Sequence, residues 1–222
     1  MCGIIGSVPE AGRAERDELV DYMVRRGTVT RPRVEAALRS VPRHLFLPEV
    51  AMGVAYSDEA LVLKWDQGAA VSSISQPTMV ASMLEMLDVD PGARILEVGT
   101  GSGYNAALLQ ELAGAEGLVV TVEIDPQLGE LARIRLRSAG YEHVEVHTAD
   151  GRLGWPPSAP FDRIAITASC AAPEPSWTEQ LRVGGRMVVP LSEELRAVAY
   201  YKTGSGGLER LRSCPAVFIP LR

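Results

Sequence analysis

Between residues 94 and 190, short apolar runs alternate with longer segments whose apolar positions recur every three or four residues. The short runs predict strands at 94–98, 118–123, 143–148, 161–167 and 186–190, and the periodic segments predict helices at 103–113, 126–139 and 175–181. Regular alternation of this kind is typical of right-handed crossovers between parallel strands. The pattern therefore predicts an α/β fold with a mostly parallel sheet and helices on both faces.

The first third of the chain has a helical pattern instead. Periodicity predicts one helix over 13–26, ended by Gly27, and a second that Thr30 caps and Pro32 opens. A short strand is predicted at 61–65, and a further helix begins at Pro77. Near the C-terminus, 195–202 and 217–221 are predicted to pair as a hairpin through the glycines of 204–207.

These patterns divide the chain into three parts. Residues 1–12 are interpreted as a flexible leader, 13–76 as a helical segment on the substrate side, and 77–222 as the α/β domain. A chain of 222 residues with 46% hydrophobic residues is long enough for one domain with such an extension.

Composition narrows the choice of partners. The net charge is −6 and no basic run is present, so nucleic acid is not expected as a partner. No apolar stretch reaches the length of a membrane span, and the first residues lack the apolar core of a signal peptide, so a cytoplasmic protein is expected. The 3 cysteines have no zinc-ligand spacing, no metal site is expected, and the chain is expected to be a monomer.

The most informative motif is a glycine-rich turn directly after the strand predicted at 94–98. Its glycines alternate, G-x-G-x-G, at 99–103, whereas the dinucleotide fingerprint has its third glycine one residue later. Glycines let the backbone turn sharply beside a ligand, and the following helix directs N–H groups at it. Glu97, Glu123 and Asp150 stand at the ends of three successive predicted strands, where acidic side chains suit the hydroxyls and amines of a nucleoside. A nucleoside cofactor is therefore predicted.

The alternating glycines resemble motif I of class I S-adenosylmethionine-dependent methyltransferases. This resemblance implies that Glu97 lies near the amino-acid end of the cofactor, Glu123 on the ribose hydroxyls and Asp150 on the adenine amine. The alternative is that Glu97 and Asp150 only cap the turns that follow them. The predicted cofactor-binding residues are Ser72, Ser73, Ile74, Glu97, Val98, Gly99, Thr100, Gly101, Ser102, Gly103, Glu123, Ile124, Asp150 and Gly151.

Several further segments resemble a narrower family, the protein-L-isoaspartate O-methyltransferases. They are residues 41–49 (VPRHLFLPE), 73–77 (SISQP), 150–155 (DGRLGW), 159–162 (APFD), 181–190 (LRVGGRMVVP) and 216–221 (AVFIPL). The resemblance runs from about residue 15 to the C-terminus. It implies a Rossmann-like class I methyltransferase sheet with its last two strands exchanged, S-adenosylmethionine as cofactor with S-adenosylhomocysteine as product, and an isoaspartyl or aspartyl protein or peptide as partner.

In this family the serine that matches Ser75 lies in the active site, which implies that its hydroxyl orients the acceptor carboxylate. The other interpretation of Ser75 is an N-cap for the helix that opens near Pro77. A carboxylate is already ionised at neutral pH, so methyl transfer to it needs no general base. None of the 3 histidines lies beside the glycine turn in a nucleophile–base arrangement.

The segment leading to Ser75 departs from the family pattern. Residues 64–72 form a longer approach with different side chains, and position 73 is serine where threonine is usual. This segment resembles isoaspartyl methyltransferase-like enzymes that modify an aspartate of a constrained, ribosomally made peptide, where the ester closes to a succinimide. General repair and peptide tailoring are thus both open. A small-molecule O- or N-methyltransferase, and a cofactor-binding protein without turnover, are the alternatives from other classes.

Overall fold

In the computed structural model, which describes residues 11–222, a seven-stranded sheet forms the centre of the molecule. Its strands are β3 (Arg94–Val98), β4 (Leu118–Glu123), β5 (Glu145–Thr148), β6 (Phe161–Ile166), β7 (Leu181–Leu191), β8 (Arg196–Lys202) and β9 (Leu208–Pro215). A separate two-stranded hairpin precedes them, formed by β1 (Leu61–Asp66) and β2 (Ala69–Ile74). The helices are α1 (Arg13–Arg25), α2 (Pro32–Ser40), α3 (Met52–Ala55), α4 (Pro77–Leu87), α5 (Tyr104–Ala113), α6 (Pro126–Ser138) and α7 (Pro175–Gln180).

The order of the sheet is β5-β4-β3-β6-β7-β8-β9. The first five strands are parallel to one another, β8 is antiparallel to β7, and β9 is antiparallel to β8. The predicted α/β fold is therefore confirmed. Strands β7, β8 and β9 are neighbours in the sheet in the same order as in the chain, which agrees with the exchanged order that the resemblance implies. The chain crosses from β3 to β4 and β5 on one side and then returns to β6 on the other side of β3. The topological switch point therefore lies at β3, where α/β sheets bind ligands.

Each face of the sheet has its own apolar core. On one face, Ile95 of β3 belongs to a core that also contains residues of α1, α2, α4 and α5. Leu96 and Val98 point to the other face and pack with Trp177 of α7. The N-terminal helices thus share the first of these cores with the helices of the α/β part.

The predicted partner of β8 was wrong. Residues 217–221 do not pair with 195–202; β8 pairs with β9, which follows directly after a turn in which the Thr203 amide donates to the carbonyl of Gly207 at 2.9 Å. A short turn brings the residues just after it into register, so a later segment is too far along the chain to compete. Residues 217–221 run beside Ser169 instead, whose amide donates to the Ile219 carbonyl and whose carbonyl accepts from Leu221.

The predicted cap of α2 was also wrong. Its N-cap is Arg31, without a side-chain cap, and the Thr30 hydroxyl donates to Glu85 at 2.7 Å. Glu85, buried on α4, also accepts the amides of Thr30 and Arg31. The carboxylate that accepts hydrogen bonds from the start of α2 therefore belongs to another helix. Such a contact cannot be predicted from the residues around position 30.

The flexible leader predicted at 1–12 lies outside the described residues for its first ten positions. Gly12 packs so closely that a Cβ there would lie 2.5 Å from the sulfur of Met52.

Among the helices of residues 11–222, none is long and apolar enough to cross a bilayer.

Candidate active site

The carboxyl ends of β3, β4, β5 and β6 open into one cleft, as parallel strands with a switch point predict. The cleft consists of two adjoining cavities with about 610 and 480 Å³ of empty space, part of which is open to solvent. Ser73, Gly99, Gly101 and Thr167 line both cavities. The first cavity therefore continues into the second around the glycine turn.

The glycine turn approaches its neighbours too closely for any larger residue. Gly99 has φ +97°, and a Cβ there would lie 2.3 Å from Oγ1 of Thr167. The Thr167 hydroxyl donates to the carbonyl of Gly99 at 2.6 Å, which fixes the turn against the end of β6. Gly151, after β5, is equally confined, because a Cβ there would lie 2.4 Å from Val98. The bare backbone of these residues forms the floor of the first cavity.

Glu123 places a carboxylate in the first cavity. It is the last residue of β4 and is 7% exposed. Its Oε2 accepts the amide of Gly101 at 2.9 Å, and its Oε1 accepts the amide of Asp125 at 3.1 Å. Two backbone amides thus orient the carboxylate beside the glycine turn, where it can accept hydrogen bonds from vicinal hydroxyls.

Glu97 does not reach either cavity. It is fully buried, and its carboxylate accepts from Asn105 Nδ2 at 2.8 Å and from the Thr121 hydroxyl at 2.5 Å. Burial raises the pKa of Glu97 to about 7, opposed by these two hydrogen bonds, and the nearby Glu123 raises it further. Asn105 lines the second cavity, so the effect of Glu97 on the cleft is to orient the Asn105 side chain.

The hairpin of β1 and β2 covers the glycine turn. Leu63 lies 3.6 Å from the position of a Cβ on Gly101, and the carbonyl of Ser73 lies 3.7 Å from it. The Lys64 ammonium binds both Asp125 and Gln127 at the start of α6, which ties the hairpin to the helix after Glu123. The segment 64–72, which departs from the family pattern, therefore forms one wall of the cleft, with Val71 and Ser72 in its lining.

Ser75 lies between β2 and α4 and does not cap the helix. The N-cap of α4 is Gln76, without a side-chain cap bond, and Asp58 accepts the amide and hydroxyl of Thr78 instead. Ser75 is partly buried and lines the second cavity. The capping interpretation of Ser75 was therefore wrong, because a carboxylate from residue 58 takes that role.

A third, wider groove of about 1320 Å³ meets the cleft at this loop. Ser73 lines all three cavities, and Ser75 lines the second and the third. The groove has no charged residue in its lining, which comes from the hairpin, from the start of α4 and from 215–220. A small ligand in the cleft and an extended chain in the groove would therefore meet at Ser73 and Ser75.

The sequence model of the family described as Protein-L-isoaspartate(D-aspartate) O-methyltransferase (PCMT) matches residues 14–222. The chain belongs to this family. A protein-L-isoaspartate O-methyltransferase of Ignicoccus hospitalis is 41% identical over 210 residues, covering 93% of this chain and 97% of the relative. One from Methanopyrus kandleri is 42% identical over 214 residues, covering 94% and 92%.

Solved structures agree with this assignment. A structure of a protein-L-isoaspartate O-methyltransferase superposes with a TM-score of 0.81 at 31% identity, covering 92% of this chain and 65% of that one. This chain thus spans slightly less than two thirds of that structure's chain. A Plasmodium falciparum structure assigned to the same enzymes, in complex with S-adenosyl-L-homocysteine, has a TM-score of 0.78 at 21% identity and shares the fold. It covers 93% of this chain and 98% of its own.

The structure brings most of the residues predicted from sequence to the cleft. The predicted residues that line it are Ser72, Ser73, Ile74, Ser75, Val98, Gly99, Thr100, Gly101, Ser102, Glu123, Ile124 and Gly151. Glu97, Gly103 and Asp150 do not line it. Gly103 is the N-cap of α5 and faces Leu136 of α6. Asp150 caps the 3₁₀ turn Gly151–Leu153 and forms an ion pair with Arg152 at 2.6 Å, as the capping alternative predicts.

Other residues of the cleft were not among the predicted site residues. Thr167 and Ala168 follow β6 just as Glu123 ends β4, so the strand-end argument could have found them. Asn105 gave no separate signal, because it reads as an ordinary residue of the first turn of α5. Residues 218–222 also line the cavities and were not among the predicted site residues; they do so as extended chain.

Proposed function

We propose that this protein is an S-adenosylmethionine-dependent O-methyltransferase that methylates the carboxylate of an isoaspartyl or aspartyl residue in a protein or peptide. The neighbouring backbone amide nitrogen then attacks the ester carbonyl, methanol leaves and a succinimide ring closes, which serves repair of damaged chains or tailoring of a peptide. The observation that carries the proposal is that the cleft at the carboxyl ends of the parallel strands and a wide, uncharged groove meet at Ser73 and Ser75. The membership of the isoaspartyl methyltransferase family supports it.

The residues of the cleft fit the cofactor. The bare backbone of Gly99, Gly101 and Gly151 lines the first cavity. A Cβ on the first or the last of these would collide with a side chain that also lines the cavity. Glu123 suits a ribose, because its carboxylate is oriented by amides and lies in the first cavity. Asn105, held by Glu97, offers a polar group in the second cavity, on the side of Ser75. When bound there, S-adenosylmethionine supplies an electrophilic methyl group on a sulfonium.

The protein's own task is positioning. An acceptor carboxyl with a pKa near 4 is ionised at neutral pH, so no side chain has to remove a proton. The Ser75 hydroxyl, which is not engaged as a helix cap, is proposed to donate to this carboxylate and aim it along the line of attack. The hairpin over Gly101 limits access of water from one side. Alignment of two reactants in this way can contribute about 7–11 kcal/mol to the lowering of a barrier.

A small-molecule methyltransferase is the alternative for the same cleft. It does not account for the third groove of about 1320 Å³, which is open and larger than the cleft itself. A peptide that runs through the groove and presents a carboxylate at Ser75 accounts for both features.

The test is methyl transfer from labelled S-adenosylmethionine to an isoaspartyl peptide, with the same peptide carrying a normal aspartate as its matched control. Preferential labelling of the isoaspartyl form, as a base-labile ester, is expected. A cyclised peptide with a normal aspartate forms a third arm, because the hairpin at 61–74 gives the groove a rim that departs from the family pattern. Labelling of the cyclic peptide alone would favour tailoring of a dedicated peptide. Labelling of none of the three peptides would contradict the proposal.

A further inference from the structure

Arg43 is completely buried and yet forms no ion pair with an acidic side chain of residues 11–222. It belongs to the 3₁₀ turn Arg43–Phe46 and is 0% exposed. Within residues 11–222 it forms no ion pair, and its Nη1 has no hydrogen-bond partner. Arg163, another buried arginine, is by contrast paired with Asp90 at 2.7 Å. A buried charge without a partner is costly, so its retention calls for a reason.

The guanidinium reaches the loop that carries Ser75. Its Nη2 donates to the carbonyl of Ser75 at 3.0 Å, and its Nε donates to the carbonyl of Ala55 at 2.9 Å. Its central carbon lies 5.1 Å from the ring centre of Tyr104. Tyr104 and Ser75 both line the second cavity. The cation therefore lies directly behind the wall of the cleft at the place proposed for the acceptor.

Two consequences follow from this geometry. The guanidinium of Arg43 donates to two carbonyls from different segments, so it fixes the backbone of Ser75 and hence the direction of its hydroxyl. Burial lowers the pKa of Arg43, but arginine keeps its charge in proteins. In a partly buried site, screening is weak and a unit positive charge attracts a carboxylate that binds nearby.

We propose that Arg43 is a positioning residue for Ser75 and that its charge, lacking a partner among residues 11–222, makes the site prefer an anionic acceptor. This inference rests on the proposed function, since it takes the acceptor to be a carboxylate at Ser75. The hydrogen bonds of Arg43 position Ser75, and its positive charge sets the preference for an anion. The two effects can be separated, because lysine retains the charge but cannot donate to both carbonyls.

The experiment compares Arg43→Lys and Arg43→Met with the wild type. Two peptides are used: an isoaspartyl peptide, and the same peptide with its acceptor carboxyl as a primary amide. Their dissociation constants are measured by calorimetry with S-adenosylhomocysteine present, and kcat is measured with the isoaspartyl peptide. Leu38→Ala, in the same apolar core, is the matched control for lost stability.

Arg43→Met is expected to lower the preference for carboxylate over amide about tenfold, and Arg43→Lys is expected to retain it. Both variants are expected to lower kcat at least tenfold, while Leu38→Ala lowers the melting temperature and leaves preference and kcat unchanged. If Arg43→Met does not fold, Arg43→Lys decides: reduced kcat with retained preference supports the inference.

Wild-type kcat in Arg43→Lys, or wild-type preference in a folded Arg43→Met, would overturn it. A wild-type protein that methylates neither an isoaspartyl nor an aspartyl peptide would instead overturn the proposed function.

Discussion

Replacing Glu97 by glutamine should change how the stability of the protein depends on pH. Glu97 is fully buried beneath the cleft, and burial raises its pKa from the ordinary 4.5 to about 7 against the effect of its hydrogen bonds to Thr121 and Asn105. Because the folded state holds this proton more tightly than the unfolded state, the stability that it contributes is present at low pH. That stability is lost as pH rises from about 4.5 through about 7.

The size of the effect follows from the same interval. At about 1.36 kcal/mol per pH unit, the interval from 4.5 to about 7 corresponds to about 3 kcal/mol of stability at full titration. In Glu97→Gln the side chain cannot ionise, so this slope disappears. The free energy of unfolding of the wild type, minus that of the variant, should therefore fall by about 3 kcal/mol between pH 4.5 and pH 8.

The assay is urea unfolding followed by circular dichroism at closely spaced pH values, without cofactor. Glu116→Gln makes the same chemical change at an exposed position and corrects for the altered net charge. A difference between wild type and Glu97→Gln that is constant from pH 4.5 to 8 would refute the reasoning. It would show that Glu97 stays ionised and that its hydrogen bonds outweigh its burial.

Four further outcomes are expected. Glu123→Ala should weaken S-adenosylhomocysteine binding by the loss of charge-assisted hydrogen bonds, about 1.5–3 kcal/mol each; unchanged affinity by calorimetry would remove Glu123 from the site. Ser75→Ala should lower kcat about tenfold to a thousandfold with little change in cofactor affinity; normal turnover with earlier melting would reject its role. Lys64→Met should speed S-adenosylhomocysteine dissociation several-fold in stopped-flow experiments, because partly exposed ion pairs contribute up to about 1 kcal/mol; an unchanged rate would mean that the hairpin does not retain the cofactor. The methylation rate with saturating cofactor should be nearly flat from about pH 6 to 8, whereas a tenfold rise per pH unit would indicate a hydroxyl or amine acceptor.

Local pattern was sufficient for most strands and helices between residues 94 and 190. The strands predicted at 94–98 and 118–123 have those bounds in the structure. Buried parallel strands are nearly continuous apolar runs, and glycine or proline marks their ends, so both signals lie within a few neighbouring residues. The glycine turn was equally readable, because its spacing is a property of the chain alone.

Pairing between distant segments was not readable in this way. Strand β2 was missed because 69–74 (AAVSSI) has no regular alternation of apolar and polar residues. It is a strand because β1 lies beside it. The partner of β8 was assigned to 217–221 on apolar character, although the short turn at 203–207 favours the nearer segment. In both cases the deciding contact joins residues whose own sequences are ambiguous.

The sequence by itself determined the fold class, the glycine turn and the family, because each depends on residue types at fixed spacing. Tertiary structure decided which of the predicted acids lies in the cleft. Glu123 faces it, Glu97 is buried behind Asn105, and Asp150 is paired with Arg152. All three stand at or next to strand ends, and the side on which a carboxylate finds its hydrogen-bond donors depends on neighbours that folding supplies. The same holds for Arg43, whose contact with Ser75 joins residues 32 positions apart.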